Sequence, residues 1–264
     1  LISAVRREAL DSESMAILET LPALGFGAFK IGRNQKIKYP SAYDLPDEAR
    51  ASEILHGVLD LGITLIDTAP AYGISEERIG RHLASRRREF LLSTKVGEWF
   101  ENGESTYRFD EASIRASVER SLVRLRTDAV DCLFAHVPAN DVEVLRDTPL
   151  VEELVMIRQR GQARAIGFSG KTPEGALRAL EWADALMIEY HARDVSHAQV
   201  IATAAARGIP VLVKKGLGAG HLSPAEAIPF VLGTPGVSSL VVGGLSLDHL
   251  RDNLRIARDC QPHR

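Results

Sequence analysis

Four polar residues stand just beyond apolar runs of strand length. Asp67 and Tyr72 lie in Asp67-Thr68-Ala69-Pro70-Ala71-Tyr72-Gly73, Lys95 in Ser93-Thr94-Lys95-Val96-Gly97, and His136 in Ala135-His136-Val137-Pro138. They offer a carboxylate, a phenol, an ammonium and an imidazole. A phenol titrates near pH ~10 and is rarely ionised at neutral pH. A nearby ammonium favours the phenolate, and a carboxylate keeps that ammonium charged. An imidazole can donate a hydrogen bond to a carbonyl oxygen. Together the four could deliver a proton to an oxygen that gains charge, which is general acid catalysis with electrostatic help. The bland alternative is a structural ion pair of Asp67 with Lys95 and a satisfied core His136. Their occurrence at consecutive strand ends favours chemistry.

The elements that must position them alternate along the chain. Strands are expected near Leu21–Gly27, Thr64–Asp67, Phe90–Val96, Ala129–His136, Ala163–Ser169, Ala185–Tyr190, Pro210–Lys214 and Ser239–Gly243. Helical patterns fall at 47–61, 75–86, 110–126, 149–160, 173–182, 196–207, 224–232 and 246–258. Cap signals precede several of them: Ser75, Asp110, Thr172-Pro173 and Ser223-Pro224. Eight strand-then-helix units predict an α/β fold, a (β/α)8 TIM barrel, as a single domain over residues 1–264. In such barrels catalytic groups project from the C-terminal ends of the strands. Residues 1–20 form an N-terminal extension, expected as a plug or hairpin at the barrel floor. Residues 30–46, with Arg33, Lys36 and Lys38, are long for a strand-to-helix loop and are expected either as a solvated loop or as a flap beside the site.

Composition narrows the function. The chain has 264 residues, 45% hydrophobic and 25% charged, with a net charge of −3. That argues for a globular protein and against nucleic acid as the main partner. No apolar run approaches the ~20 residues that cross a bilayer, and residues 1–10 lack the apolar stretch of a signal peptide. Cys132 and Cys260 form no disulfide framework and no metal spacing, so a cytoplasmic location is expected. His191, His197 and His221 are scattered, and no metal is expected. Cys132 reads as core, Glu189 as a polar residue at the barrel mouth, and Arg86-Arg87-Arg88 as a solvated turn.

The string Asp67-Thr-Ala-Pro-Ala-Tyr72-Gly-Ile-Ser-Glu-Glu-Arg-Ile-Gly80, followed by Ser-Thr-Lys95 and His136-Val-Pro138, resembles the aldo-keto reductase superfamily. The resemblance runs from Leu24-Gly-Phe-Gly-Ala-Phe29 to Asp248-His-Leu-Arg-Asp-Asn253. It implies a carbonyl reductase that uses NADP(H) or NAD(H), with NADP(H) slightly preferred, and a small-molecule carbonyl or alcohol substrate. By this resemblance Tyr72 is the general acid, or the base in alcohol oxidation. Lys95 depresses its pKa, Asp67 pairs with Lys95, and His136 orients the carbonyl. Tyr72, His136 and Trp99 would contact substrate, with Phe100 beside Trp99 as a further apolar wall. On the cofactor side the resemblance points to Gly27, Ala28, Phe29 and Asp67 near the nicotinamide ribose, and to Ser169 and Gly170 at the carboxamide. It points to Lys214, Lys215, Gly216, Leu217 and Gly218 after the seventh strand, and to Gly243, Gly244, His249, Asp252 and Asn253 after the eighth.

The pattern departs from the superfamily at several positions. Gly170 replaces the usual Asn, Met187 the usual Gln and Lys214 the usual stacking aromatic. Gly244 and His249 stand where many relatives carry a Lys and an Arg for the 2′-phosphate. Val137 stands where a larger side chain usually follows the histidine, and a pocket open on one side is expected. The Gly-rich turn after Lys215 can present N–H groups to a pyrophosphate. Two other readings compete. One is a Schiff-base lyase or aldolase with Lys95, Lys214 or Lys215 as nucleophile. The other is a cofactor-binding regulatory subunit without catalysis.

Overall fold

In the computed structural model, residues 11–260 are described. Eight parallel strands close into a barrel: β1 Leu24–Gly27, β2 Leu65–Asp67, β3 Leu91–Val96, β6 Val130–His136, β7 Ala163–Ser169, β8 Ala185–Glu189, β9 Val211–Lys214 and β10 Val237–Val242. Around the ring the order is β1-β10-β9-β8-β7-β6-β3-β2. Closure comes from Leu24 to Phe26 of β1 pairing with Leu240 to Val242 of β10. The helices are α1 Ser12–Glu19, α2 Glu48–Asp60, α3 Ser75–Leu83, α4 Glu111–Leu125, α5 Asp141–Asp147, α6 Leu150–Gln159, α7 Pro173–Ala179, α8 Ala198–Ala206, α9 Pro224–Leu232 and α10 Leu247–Asp259. The strands hide both faces almost throughout, as parallel strands covered by helices do, with Arg164 near the start of β7 exposed. Along β9, Val211 and Val213 pack toward the helices, while Leu212 joins the barrel interior. That alternation turns Lys214 inward at the mouth.

The floor is closed by α1. Leu18 packs against Leu65, Cys132, Phe134, Ala185, Met187 and Leu212 from inside the barrel. The extension is therefore a helical plug and not a hairpin; residues 1–10 of that expectation lie outside the described residues. Asp11 caps α1 by accepting from the Ser14 N–H at 2.7 Å. Cys132 is core, as its apolar surroundings imply.

Two elements were not expected. A hairpin, β4 Glu98–Glu101 with β5 Glu104–Tyr107, leaves the mouth after β3. Its turn is Asn102-Gly103, both at positive φ (53° and 80°), the backbone that a two-residue hairpin turn demands. The short helix α5 precedes α6. The caps divide as well. Asp110 and Thr172 accept from Ser113 and Gly175 N–H groups. Ser75, expected as a cap, lies inside α3, where its hydroxyl donates to the Ala28 carbonyl at 2.9 Å and ties β1 to the Tyr72 turn.

The 30–46 segment is anchored at its start, where Ile31, Gly32 and Arg33 are buried, and exposed beyond it at Gln35, Lys36, Lys38 and residues 40–42. Arg33 is buried, donates to the Ala71 carbonyl at 3.0 Å and stacks 3.4 Å over the Phe100 ring. Tyr43 donates its hydroxyl to the Arg33 carbonyl. Lys30 lies 4.1 Å over Tyr39. Gly32 and Gly73 make the flap's close approach possible. A side chain on Gly32 would meet the Tyr72 carbonyl at 2.1 Å, and Gly73 sits at φ 62° against the Gly32 carbonyl.

Candidate active site

The ends of β2, β3 and β6 bring the four residues to one side of the mouth. Lys95 Nζ donates to both oxygens of Asp67 at 2.7 Å and to the Thr68 carbonyl at 2.8 Å. Ser93 donates to Asp67 Oδ1 at 2.8 Å. The pair is buried, with Lys95 at 2% and Asp67 at 3% exposure. Burial works against the Lys95 charge, but Asp67 and Tyr72 outweigh it and hold the pKa above the usual lysine value. Lys95 Nζ lies 4.8 Å from the Tyr72 ring centre, and Phe29 packs edge-on to that ring at 5.1 Å. Enclosure pushes the Tyr72 phenol up to about 12, with Lys95 pulling the other way. In the site without ligand, desolvation therefore outweighs the ammonium, and the phenol carries its proton at neutral pH.

His136 is 9% exposed, and burial lowers its pKa to about 4 against the pull of Glu98. Its Nδ1 lies 2.9 Å from a Glu98 carboxylate oxygen. The approach is close, but the ring N–H is not aligned on the oxygen as a hydrogen bond. Glu98 itself loses some solvation, but contact with His136 brings its pKa down to about 2. The carboxylate beside Nδ1 is absent from the sequence expectations. It lies on the unexpected hairpin, and the Asn102-Gly103 turn between alternating runs was the available signal.

On that hairpin Glu98 and Phe100 share one face, while Trp99 takes the other. Trp99 is buried under Arg120 at 3.9 Å and Arg108 at 4.7 Å. Thus Trp99 faces those arginines, and Phe100 lies on the Glu98 side.

The residues expected around a nicotinamide nucleotide fall into two groups. Gly27 and Gly243 form a backbone cradle between β1 and β10. A Cβ on Gly243 would sit 3.0 Å from the Gly27 carbonyl and 3.7 Å from the Tyr39 hydroxyl. Ala28 is buried, whereas Gly243, His249 and Asp252 are exposed, and Asn253 is nearly buried on α10. Across the mouth, Lys214 Nζ donates to Ser169 Oγ at 2.9 Å and to the Gly170 carbonyl at 3.1 Å. A side chain at Gly170 would meet Phe168 at 2.1 Å and Asp141 at 2.7 Å, so the packing here has no place for the usual Asn. Met187 is wholly buried in the barrel interior beneath this point. Gly216 is buried against Leu240 and Leu217 packs on the core. In the turn that follows, the Gly218 and Gly220 N–H groups are spent on the Lys215 and Leu217 carbonyls, so they are not free for a phosphate as expected. Lys215 pairs instead with Glu189. Arg50 of α2 donates to the Leu245 carbonyl at 2.9 Å and pairs with Glu53 at 2.7 Å, which sets a guanidinium beside the loop after β10.

Residues 23–230 match the model of the aldo/keto reductase family. The chain belongs to that family. It is 38% identical to PA4992 of Pseudomonas aeruginosa. That likeness covers 91% of this chain and 90% of that one, with a TM-score of 0.84. It is 33% identical over 190 residues to the D-threo-aldose 1-dehydrogenase of a Pseudomonas species, and 38% identical over 127 residues to aldo-keto reductase YhdN of Bacillus subtilis. The matched part spans 54% and 38% of the lengths of those two proteins. Across the mouth and the rest of the described residues, no three His, Cys, Asp or Glu gather as a metal site. None of the described helices is long and apolar enough to cross a membrane.

Proposed function

We propose that this aldo/keto reductase reduces aldehydes or ketones, or oxidises the matching alcohols, with Tyr72 as the proton-carrying group. The observation that carries this reading is the buried Asp67–Lys95 pair set under the Tyr72 ring beside His136. The glycine cradle of Gly27 and Gly243, together with the polar group Ser169, Lys214 and Lys30, suits a nicotinamide nucleotide laid across the mouth. Such a cofactor supplies or accepts the hydride when bound. Tyr72 holds a proton at neutral pH and gives it to the carbonyl oxygen. Lys95 stabilises the phenolate left behind, and Asp67 keeps Lys95 charged and in place. His136, neutral in its buried setting, would lie against the substrate oxygen, with the Glu98 carboxylate 2.9 Å from its Nδ1. In the oxidising direction the Tyr72 phenolate takes the alcohol proton. Phe100 and Phe29 form the apolar side of the substrate pocket.

Arg50 supports the preference for NADP(H), since a guanidinium suits a 2′-phosphate. A cytoplasmic setting suits the free thiols of Cys132 and Cys260. Calorimetric titration with NADPH and NADH, followed by turnover of a panel of aldehydes, tests the reading. Submicromolar to micromolar binding of either with carbonyl-dependent oxidation is expected. Absence of binding for both nucleotides would defeat it.

A second reading rests on Lys214. Its amine bonds only neutral oxygens, Ser169 Oγ and the Gly170 carbonyl. Burial and the charges of Lys171, Lys215 and Lys95 hold its pKa well below the usual lysine value. An unprotonated Lys214 nitrogen could add to a carbonyl carbon and lose water to leave an imine. Borohydride treatment with a carbonyl compound, then peptide mass mapping, decides it: an adduct on Lys214 supports this chemistry and its absence removes it.

A further inference from the structure

The chain has seven lysines, against 25 arginines. Every lysine lies at or after the C-terminal end of a barrel strand: Lys30, Lys36 and Lys38 after β1, Lys95 near the end of β3, Lys171 after β7, Lys214 ending β9 and Lys215 after it. Many surface ion pairs elsewhere are made by arginines, for example on Glu48, Asp60, Glu153 and Glu174. The ammonium groups are thus gathered at the one end of the barrel where chemistry occurs.

Some of them share a cavity. A pocket of about 390 Å³ opens on the β7, β8 and β9 side of the mouth, lined by Lys38, Lys171, His191, Arg193, Lys215 and His221. Its one carboxylate, Glu189, is engaged by Lys215 and lies 3.8 Å from His191. Lys38, Lys171 and Arg193 have no carboxylate within ion-pair distance among the described residues. Backbone hydrogen bonds order the turns that carry Lys171 and Arg193. Asp141 accepts from the N–H groups of Lys171 and Thr172 at 2.9 and 2.8 Å, and fixes the turn that presents Lys171. The Arg193 N–H donates to the His191 ring at 3.2 Å, within a loop closed by the His191–Asp194 bridge. Crowding like charges costs free energy. Partial enclosure and the ammonium groups of Lys215 and Lys38 push the Lys171 pKa down, with Glu98 and Glu189 opposing. An anion in the pocket would offset that cost.

The pocket lies beside the catalytic residues, and Tyr39, the neighbour of Lys38, links its edge to the glycine cradle through the Gly243 backbone. Lys171 directly follows Ser169-Gly170, and it feels the charge of Glu98, the carboxylate in contact with His136. The cradle lies between β1 and β10, with β9 separating β10 from β8.

We propose that this cationic pocket is a substrate subsite, and that the preferred substrates are small aldehydes or ketones carrying a phosphate or carboxylate tail. The carbonyl would lie at Tyr72 and His136, and the tail among Lys171, Arg193 and Lys38. This rests on the carbonyl-reductase reading above.

The test compares kcat/KM for D-glyceraldehyde 3-phosphate with D-glyceraldehyde, and for D-glucuronate with D-glucose, at low and high salt. One charge-assisted hydrogen bond corresponds to roughly tenfold or more in affinity. The anionic member of at least one pair is expected to lead by about that factor, through KM, with the lead shrinking in salt. The two pairs separate a phosphate site from a carboxylate site. Lys171→Gln and Arg193→Gln should erase the preference while leaving glyceraldehyde turnover and nucleotide affinity near the parent's. Equal kcat/KM within both pairs would overturn the proposal. So would variants that chiefly weaken nucleotide binding, since the pocket would then belong to the cofactor. If no carbonyl compound turns over, the reductase reading fails on its own. Calorimetry with glyceraldehyde 3-phosphate then decides the pocket: binding lost in Lys171→Gln supports it, and no binding overturns it.

Discussion

Replacing Asp67 by Asn leaves the Lys95 ammonium at 2% exposure with one remaining full acceptor, the Thr68 carbonyl at 2.8 Å. Two 2.7 Å bonds to a carboxylate are lost or reduced to a neutral one. Breaking a buried pair by removing one partner costs about 3–5 kcal/mol. For a chain of this size each kcal/mol moves the melting temperature by roughly 2–4 °C, so a fall on the order of 10 °C is expected. Removing both charges in Asp67→Asn/Lys95→Met should recover much of that loss, because an apolar replacement of a buried pair is often close to neutral. Urea titrations of the parent, the single and the double variant give the three free energies. A single variant within about 2 °C of the parent would mean that the Lys95 charge does not depend on Asp67 for its burial. A double variant markedly less stable than the single would count against that dependence equally. The same single variant should lose most activity, since an uncompensated Lys95 no longer keeps its charge under Tyr72.

Other predictions concern titration and the floor. With the Tyr72 phenol at about 12, alcohol oxidation by the free enzyme should climb with pH throughout the range from about 7 to 10. A flat oxidation profile there would contradict Tyr72 as the base. His136 has a folded pKa of about 4, below the ordinary value of 6.5. A depressed pKa gives stability that is present above pH 6.5 and lost as pH falls through about 4, here about 3 kcal/mol in all. His136→Gln should lose less stability over that acid window in urea titrations, and an unchanged loss would exclude His136 as its source. Leu18→Ala should cost about 2–5 kcal/mol by emptying the top of the floor plug, read as a lower urea midpoint. An unchanged midpoint would mean that α1 does not close the barrel.

The barrel was legible because each strand is an apolar run that ends in a change to polar residues. Phe90 to Val96 and Ala129 to His136 show this, and their ends located Lys95 and His136 within a residue. The Asp67–Lys95 pair followed from the position of those ends. Glu98 was not legible, because Glu98-Trp99-Phe100-Glu101 alternates without a strong apolar run, and its hairpin stands outside the barrel period. Trp99 looked like a pocket wall from its place after Lys95. Its side depends on the pleat, which puts it under Arg120 and Arg108. The turn after Lys215 looked like a phosphate loop from its glycines, but composition does not reveal that Gly218 and Gly220 bond within the turn. The cationic pocket joins residues far apart in sequence, from Lys38 to His221, and only barrel closure brings them together.

If Tyr72 carries the proton in carbonyl reduction, Tyr72→Phe shows it in two measurements, nucleotide binding by calorimetry and a single turnover of a good aldehyde substrate. Nucleotide affinity is expected to stay close to the parent's and the rate to fall by about 10²–10⁴. Turnover at the parental rate in Tyr72→Phe would contradict that role.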